Sequence, residues 1–433
     1  MLTFDDRYNW NFSIGGGISE EIETIKMFED FKESESNVVW DITNGGTIIA
    51  QPVIYKDVVY FGCYDGIMYA VSLEGVILWK FVTDGSILSK VAVYNDKIYF
   101  CSYDGHAYCI SLNGSLIWKL YIGSPIVSSP LVLDKVVYFG AKDGFLHAVT
   151  TEGKQFWKFK TGGEIIASPV TDGKLVYIGS GDGNLYAVTT SGEKKWSFKT
   201  REIVLKGACV YNNKIYFSSF DDYIYCVDKG GRLIWKYKTP LVCSGVTPQG
   251  DSGSVYFSCR DGALYVINAE TGELGWRFLT EGPLSTGDCI AEDRVYLGSA
   301  DENLYCLKKN TGELIWKLKT AGQILGRPTL YNNKIFFGNW SGKFYCVSSN
   351  GKKIWDFQVS SKPPSTFKVN KKENVHKIII QDDFKPERQI DLPRGEQEVW
   401  EGYGTRTGYA GIKKDYAGRK KGEQAEGSRR YAV

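Results

Sequence analysis

Residues 162–200 read GGEIIASPVTDGKLVYIGSGDGNLYAVTTSGEKKWSFKT, and this stretch contains the pattern that decides the fold. Four short runs rich in β-branched and aromatic residues, EIIASPV, KLVYIGS, NLYAVTT and KKWSFKT, are separated by turn residues. Asp182-Gly183 supplies the positive φ that a tight hairpin needs, and Ser191-Gly192 begins the next turn. The stretch therefore predicts a meander of four antiparallel β-strands.

The same pattern recurs along most of the 433-residue chain. Tryptophans follow one another at intervals of 39 to 41 residues, at Trp40, Trp79, Trp118, Trp157, Trp196, Trp235, Trp276, Trp316 and Trp355. Eight turns keep phase with them, beginning at Asp65, Asp104, Asp143, Asp182, Asp221, Asp261, Asp301 and Ser341. One such sheet cannot bury both faces, so the units must stack radially, with each tryptophan filling the gap to a neighbouring blade. The sequence predicts an all-β, eight-bladed β-propeller of four-stranded antiparallel blades.

The ends of the repeat define the domain boundaries. Nine tryptophan strands accompany only eight sets of inner strands, so the strand with Trp40 or the strand with Trp355 is surplus, and we favour Trp40 as the closing strand. We place an N-terminal segment at 1–37, the propeller at 38–361 and a C-terminal tail at 362–433. Residues 19–34 have the spacing and N-cap of a short amphipathic helix, which either packs on the ring or binds a partner.

The unit pattern V-Y-F-G-S-x-D-G-x-L-Y-A-V, followed by G-x-x-x-W-x-F-x-T, resembles the tryptophan-docking repeat of the pyrroloquinoline-quinone β-propeller family. The resemblance covers about residues 38–358 and is similar to non-enzymatic members, such as the propeller lipoprotein of outer-membrane-protein assembly, as much as to the quinoprotein dehydrogenases. It implies the fold. The catalytic members hold the quinone beneath a disulfide between adjacent cysteines and add calcium, whereas this sequence has no adjacent cysteine pair. We therefore predict a protein that is not an enzyme, with no cofactor and no catalytic residue.

The placement of cysteine and histidine argues against metal and nucleophile chemistry. One repeat position that elsewhere holds Ala or Val is occupied by Cys109, Cys226, Cys306 and Cys346, so we expect reduced thiols in the core. His147 takes the place of a repeated tyrosine, and with only three histidines in the chain neither a metal site nor a Ser-His-Asp triad is expected. The repeated aspartates are explained by their turns.

Charge and hydropathy predict a cytoplasmic protein without a membrane partner. The formal net charge is only +2, and no 18 uncharged apolar residues follow one another. The opening residues also have no apolar run of signal-peptide length.

The inner strands of a propeller line its channel, so departures from the repeat on these strands are candidates for a site. One inner position reads, along the chain, Gln51, Lys90, Ser129, Ser168, Gly207, a residue left unassigned in the longer sixth unit, Gly287 and Arg327. Arg327, Gln51 and Lys90 fall on blades that become neighbours when the ring closes, and Lys206 and Asp288 are polar substitutions nearby. The cations either bind an anionic ligand or the acidic side chain of an inserted peptide, or they are hydrated in a water-filled channel.

The last part of the tail, from about residue 401, is Gly-rich and basic. Its candidate contact residues are Tyr409, Tyr416, Arg419, Lys420, Lys421, Arg429 and Arg430. This composition cannot bury a core and predicts a flexible segment. Interleaved tyrosine and arginine would stack on single-stranded nucleic acid or bind an acidic protein surface, and a solvated tail without a partner is the alternative.

Together these features predict a protein-interaction platform, in which the ring holds a partner protein and the basic tail acts as a second tether. Two alternatives stay open. The first is a small-molecule or anion sensor, or a degenerate quinoprotein, that binds an anion against Lys90 and Arg327. The second is nucleic-acid contact through the tail, which salt would weaken steeply.

Overall fold

A computed structural model describes residues 46–243, 249–285, 287–291 and 293–359 of the chain. The regular secondary structure of these residues is entirely β-strand and forms eight sheets of four strands each. The prediction of an eight-bladed β-propeller is therefore confirmed. The strand expected around Trp40, the helix expected at residues 19–34 and the tail from residue 362 lie outside the described residues.

Within every blade the four strands pair antiparallel in chain order. Blades 1 to 4 comprise β1 (Val53–Tyr55), β2 (Val58–Gly62), β3 (Ile67–Ser72), β4 (Ile77–Val82), β5 (Ala92–Tyr94), β6 (Lys97–Cys101), β7 (His106–Ser111), β8 (Leu116–Tyr121), β9 (Leu131–Leu133), β10 (Val136–Gly140), β11 (Phe145–Thr150), β12 (Gln155–Lys160), β13 (Val170–Thr171), β14 (Leu175–Gly179), β15 (Asn184–Thr189) and β16 (Lys194–Lys199). Blades 5 to 8 comprise β17 (Cys209–Tyr211), β18 (Lys214–Ser218), β19 (Tyr223–Asp228), β20 (Leu233–Lys238), β21 (Gln249–Asp251), β22 (Ser254–Ser258), β23 (Ala263–Asn268), β24 (Leu274–Leu279), β25 (Cys289–Ile290), β26 (Arg294–Gly298), β27 (Asn303–Lys308), β28 (Leu314–Lys319), β29 (Thr329–Tyr331), β30 (Lys334–Gly338), β31 (Lys343–Ser348) and β32 (Lys353–Gln358).

The core lies between adjacent blades, on the second and third strands of each. These strands are almost wholly buried, whereas the outer strands alternate between exposed and partly buried residues. A single hydrophobic cluster joins Tyr177 and Leu185 of blade 4 to Ile215 and Phe217 of blade 5. Because each sheet buries its faces against its neighbours, the ring is held by blade-to-blade packing.

Each outer strand docks its tryptophan on the next blade. Trp118 donates a hydrogen bond from Nε1 to the carbonyl oxygen of Thr151 over 2.9 Å. Its ring covers Gly153, where an added Cβ would lie 2.8 Å from the indole and where φ is +86°. Two reasons therefore require glycine at this position: a side chain would collide with the indole, and the backbone has a positive φ. The acceptors in the eight blades are the carbonyls of Leu112, Thr151, Thr190, Lys229, Ala269, Lys309, Ser349 and Leu73.

The repeated cysteine position lies directly across the sheet from the tryptophan. Cys109 pairs with Trp118, and Cys226 pairs with Trp235, in the third and fourth strands of their blades. Both cysteines are fully buried, as a small core residue at this position should be. Burial raises the pKa of both thiols, that of Cys109 to about 11, which keeps them protonated.

The ring closes between blades 8 and 1, and there one expectation is wrong. The outer strand of blade 8 is β32, so Trp355, not Trp40, completes it, and the Trp355 indole donates to the Leu73 carbonyl over 3.0 Å. Phe61 and Phe344 stack across the same junction with centroids 4.0 Å apart. The strand with Trp355 follows β31 after a short turn, and such a local pairing costs little loop-closure entropy.

The expectation that all cysteines are reduced is also wrong for one pair. Cys243 and Cys259 form a disulfide at the entrance to blade 6, whereas the other eight cysteines are free. In other blades the position of Cys243 holds an aliphatic residue such as Ile126, and that of Cys259 holds a residue such as Ser102. The sixth unit is longer than its neighbours, and its irregular spacing hid this juxtaposition from the sequence.

Candidate functional site

In the part of the chain that the structure describes, the inner position chosen from the sequence forms a band along the channel wall, on the segment that precedes the first strand of a blade. The amide of Lys90 donates to Ser129 Oγ over 3.1 Å, and the amide of Ser129 donates to Ser168 Oγ over 2.9 Å. These bonds join blades 2, 3 and 4 at a single level. The equivalent residues of consecutive blades are therefore neighbours, as the alignment of the repeat predicts.

The band continues through blades 7, 8 and 1. Gln51 donates from Nε2 to Thr329 Oγ1 over 3.4 Å, and the Thr329 hydroxyl donates to the Pro52 carbonyl over 2.7 Å. Arg327 lies against Gly287, where an added Cβ would stand 2.8 Å from Arg327 Cδ. The glycine in blade 7 thus leaves the space that the arginine side chain of blade 8 occupies.

Asp288 follows that glycine and is the most unusual residue of the channel wall. The same position holds proline in four other blades, at Pro52, Pro130, Pro169 and Pro328. Asp288 is completely buried, and neither of its carboxylate oxygens has a hydrogen-bond partner among the residues that the structure describes. Burial raises its pKa, and the positive charge of Arg327 only partly opposes that rise. A buried, unpaired acid is costly to the fold, and such groups concentrate at functional sites.

Two lysines complete the charged part of the wall. Burial, together with the smaller effect of the positive charge of Arg260, lowers the pKa of Lys206 to about 8. Lys90 keeps an exposed surface, but the protein around it removes part of its hydration and this lowers its pKa. The positive charge of Arg327 lowers the pKa of Lys90 in the same direction. Cations whose charged forms are disfavoured by their surroundings gain most from an anion bound between them.

A group of aromatic residues near this band was missed by the sequence analysis. Tyr64, Tyr103 and Trp340 share the repeat position just before each Asp-Gly or Ser-Gly turn, on blades 1, 2 and 8. The Tyr64 amide donates to the Thr47 carbonyl over 2.9 Å, beside the segment that leads into the channel band. Burial raises the pKa of Tyr103, and the nearby Tyr64 adds to the rise. These three aromatic residues belong to the same blades as Arg327, Gln51 and Lys90, whereas a fourth, Phe220, holds the same position in blade 5. Aligning this second position would have found all four.

The repeated aspartates of the turns are not free acids. In blade 4, Asp182 accepts the amide of Asn184 with Oδ1 over 2.9 Å and the hydroxyl of Tyr186 with Oδ2 over 2.7 Å. In blade 3, His147 replaces that tyrosine, is buried, and places Nε2 3.0 Å from Asp143 Oδ2. Among the described residues no group of three or more His, Cys, Asp or Glu side chains could hold a metal ion.

The tail and the membrane are the two remaining subjects of the sequence predictions. The tail residues Tyr409, Tyr416, Arg419, Lys420, Lys421, Arg429 and Arg430 lie outside the described residues. The part of the chain that the structure describes contains no helix long and apolar enough to cross a bilayer.

Two protein-family models match parts of this chain. Residues 27–249, just over half of the chain, match the family model for the β-propeller of beta-alanine-activating enzyme. Residues 260–385 match the family model for outer membrane protein assembly factor BamB. No curated protein matches the chain.

Solved structures with low sequence identity share the fold. BamB from Moraxella catarrhalis is 20% identical, with 70% of this chain and 92% of that chain covered and a TM-score of 0.58. A quinohemoprotein alcohol dehydrogenase from Comamonas testosteroni is 13% identical, with 72% of each chain covered and a TM-score of 0.59. The computationally designed protein Ika8 is 16% identical, with 70% and 97% covered and a TM-score of 0.63. At these identities the similarity concerns the fold alone.

Proposed function

Because the chain belongs to the pyrroloquinoline-quinone-repeat β-propeller family, we propose that it is a non-catalytic scaffold that binds a protein partner and accepts an acidic side chain of that partner in its channel. The similarity of residues 260–385 to an assembly factor supports a role in binding proteins. Solved structures of this fold include both an assembly factor and a dehydrogenase, so the fold is compatible with both classes and the site must decide between them.

The observation that carries the proposal is the charge of the channel wall. Lys90, Lys206 and Arg327 lie on the inner segments of three blades. The one acid that the repeat analysis finds among them, Asp288, is buried without a hydrogen-bond partner in the described part of the chain. The surroundings lower the pKa of both lysines. An arriving carboxylate would pair with Arg327 and relieve the repulsion between the cations.

A short acidic peptide tests this proposal directly. We expect fluorescein-labelled hexaglutamate to bind the full chain, measured by fluorescence anisotropy, with an affinity that falls as salt rises. Arg327→Gln should weaken binding by about tenfold, because it removes a partly buried cation that pairs with the carboxylate.

The matched control is Lys195→Gln on the outer strand of blade 4, where the lysine side chain is 53% exposed. It removes the same charge away from the channel and should leave the dissociation constant within about twofold, the range of an exposed ion pair. Equal loss in both variants would mean that the peptide responds to net charge, and the channel proposal would be wrong.

Inorganic phosphate separates the scaffold from the alternative of a small-anion sensor, which Lys90 and Arg327 would also permit. Phosphate should compete with hexaglutamate only at high concentration if the site is built for a protein side chain. If phosphate alone raised the melting temperature at micromolar concentration, and Arg327→Gln abolished the rise, the sensor would replace the scaffold as the conclusion.

A further inference from the structure

One repeat position links most blades to the next one, on the face opposite the Asp-Gly turns. It is the last residue of the inner strand in most blades and the residue after that strand in blades 4 and 7. Tyr55 of blade 1 donates its hydroxyl to Asp96 Oδ1 of blade 2 over 2.8 Å. Tyr331 of blade 8 donates to Asp57 Oδ1 of blade 1, also over 2.8 Å. In each case a phenol crosses the gap and binds the second residue of the neighbouring hairpin turn.

Other blades make this link with different side chains. Asp172 of blade 4 forms an ion pair with Lys229 of blade 5 at 3.0 Å, and Asp251 of blade 6 pairs with Lys309 of blade 7 at 2.9 Å. Tyr211 of blade 5 accepts the amide of Gly253 in blade 6. The equivalent residues of blades 2 and 3, Tyr94 and Leu133, pack against the clusters between blades.

Blade 7 has the smallest side chain at this position, Ala291, which packs against the cluster between blades 7 and 8. Its methyl group is too short to reach the hairpin turn of blade 8. A cavity of about 1080 Å³ opens there between blades 6, 7 and 8. Among its lining residues are Ala291, Arg294, Tyr296, Asn332, Asn333 and Ser349. We call this cavity the blade 7 groove.

We propose that the blade 7 groove binds a tyrosine side chain of a partner protein, which takes the place of the tyrosine that blade 7 lacks. The inference rests on the proposed function in one respect only, that the partner is a protein. Asn333 occupies the turn position that Asp57 and Asp96 occupy in blades 1 and 2, with a φ of +57°. Its side-chain oxygen is the acceptor that the phenol would reach.

The charges of the groove favour a neutral aromatic group over an anion. Arg294 lies 3.4 Å from Asp293, and Lys309 lies 2.9 Å from Asp251, so each cation of the lining already has an acid beside it. Arg294 also donates to the Ser349 carbonyl over 2.8 Å, which fixes its guanidinium against blade 8. Tyrosine combines a large apolar ring with a hydroxyl tip and suits a half-polar groove of this kind.

The probe for this proposal is N-acetyl-L-tyrosinamide, observed by its NMR line broadening in the presence of the full chain. We expect a dissociation constant on the order of millimolar, as is usual for a single side chain without its protein. N-acetyl-L-phenylalaninamide lacks the hydroxyl and should bind about fivefold more weakly, because one neutral hydrogen bond is lost.

Two substitutions move the result in opposite directions. Ala291→Tyr supplies the missing ring from the chain itself and should abolish binding of the probe. Asn333→Asp supplies the acceptor found in blades 1 and 2, keeps a residue type that tolerates positive φ, and should strengthen tyrosinamide binding about threefold through a charged acceptor, without helping the phenylalanine analogue. Asn213→Asp makes the same change in blade 5, opposite the Asp172 link, and should have no effect.

The proposal is overturned if the probe does not bind at 20 mM (about ten times the expected constant), or if Ala291→Tyr folds with an unchanged circular dichroism spectrum and still binds it. If Ala291→Tyr does not fold, the response to Asn333→Asp decides alone. Hexaglutamate binding should survive Ala291→Tyr, and tyrosinamide binding should survive Arg327→Gln. The groove and the channel can thus fail separately.

Discussion

The outer strands and the channel wall of this ring derive from one repeat, yet they preserve it to different degrees. On the outer strands all eight tryptophans donate to a carbonyl of the next blade, and each ring covers a glycine with positive φ. On the channel wall the equivalent positions hold Gln, Lys, Ser, Gly or Arg. The contact that assembles the ring does not vary among the eight blades, whereas the channel wall varies in a ring that still closes, so the departures there point to binding.

The tryptophan contact should produce the largest effect of any single substitution. Trp118→Ala removes the indole from Gly153 and leaves the Thr151 carbonyl without its donor. We expect a loss of about 3–5 kcal/mol in the free energy of unfolding, measured by urea denaturation. Lys119→Ala, on the exposed neighbour in the same strand, should change stability by less than about 0.5 kcal/mol. Similar losses from both variants would contradict the role of the indole.

The disulfide at the entrance to blade 6 tests whether an irregular unit needs an extra constraint. Replacing Cys243 by Ile and Cys259 by Ser restores the residues that other blades use. Because the bond closes a loop of 16 residues, its loss should cost about 2–4 kcal/mol under oxidising conditions. The control is the same comparison in a reducing buffer, where the wild-type chain loses the bond too. If the difference in unfolding midpoint persisted there, it would come from packing and not from the bond.

The regular outer strands could be predicted from the sequence, whereas the irregular sixth unit and the closure of the ring could not. The period of Trp118 and Trp157 fixes the blade count, because identical contacts need identical spacing, and the position of His147 follows from the tyrosines it replaces. The Cys243–Cys259 bond and the choice of Trp355 as closing strand were not predictable. Both depend on three-dimensional juxtaposition where the spacing is irregular or where the chain ends.

The channel band lies between these extremes. The alignment of the repeat found Lys90 and Arg327, and it marked Asp288 as a departure from proline. It could not show that Asp288 is completely buried without a hydrogen-bond partner in the described ranges, or that Arg327 lies over Gly287, because burial and side-chain paths depend on neighbouring blades. The sequence could therefore predict which residues form the band, but not how deeply Asp288 is buried or where the Arg327 side chain lies.

The tyrosine hydroxyls that bind the turn aspartates should contribute less than the tryptophans. Tyr186→Phe leaves Asp182 Oδ2 without the donor that lies 2.7 Å away. Burial and the hydrogen bond to Asp182 together raise the pKa of Tyr186 to about 12, so the hydroxyl stays protonated and donates at neutral pH. We expect a loss of about 1–2 kcal/mol in urea denaturation. Tyr121→Phe, on a tyrosine that is 64% exposed, should be neutral, and an equal loss there would rule out this explanation.

Replacement of Asp288 should give the smallest change in stability, and one of opposite sign. Burial raises the pKa of Asp288 above its ordinary value of 3.8, so the folded state binds the proton more readily than the unfolded state. Stability should therefore fall as pH rises from about 4 through the raised pKa, and it should stay low above it. Asp288→Asn removes the charge and should stabilise the protein by about 1 kcal/mol at pH 7, with little effect at pH 3.5.

The same substitution connects the stability of the channel wall to its binding. Asp288→Asn would leave Arg327 without a competing negative charge, so hexaglutamate should bind more tightly while the protein becomes more stable. Asp134→Asn, in an exposed turn of blade 3, is the control for both measurements. If Asp288→Asn stabilised the chain and weakened the peptide, Asp288 would itself position Arg327 for binding. The wall would then hold its unpaired acid as part of the site, in keeping with the concentration of locally unfavourable groups at functional sites.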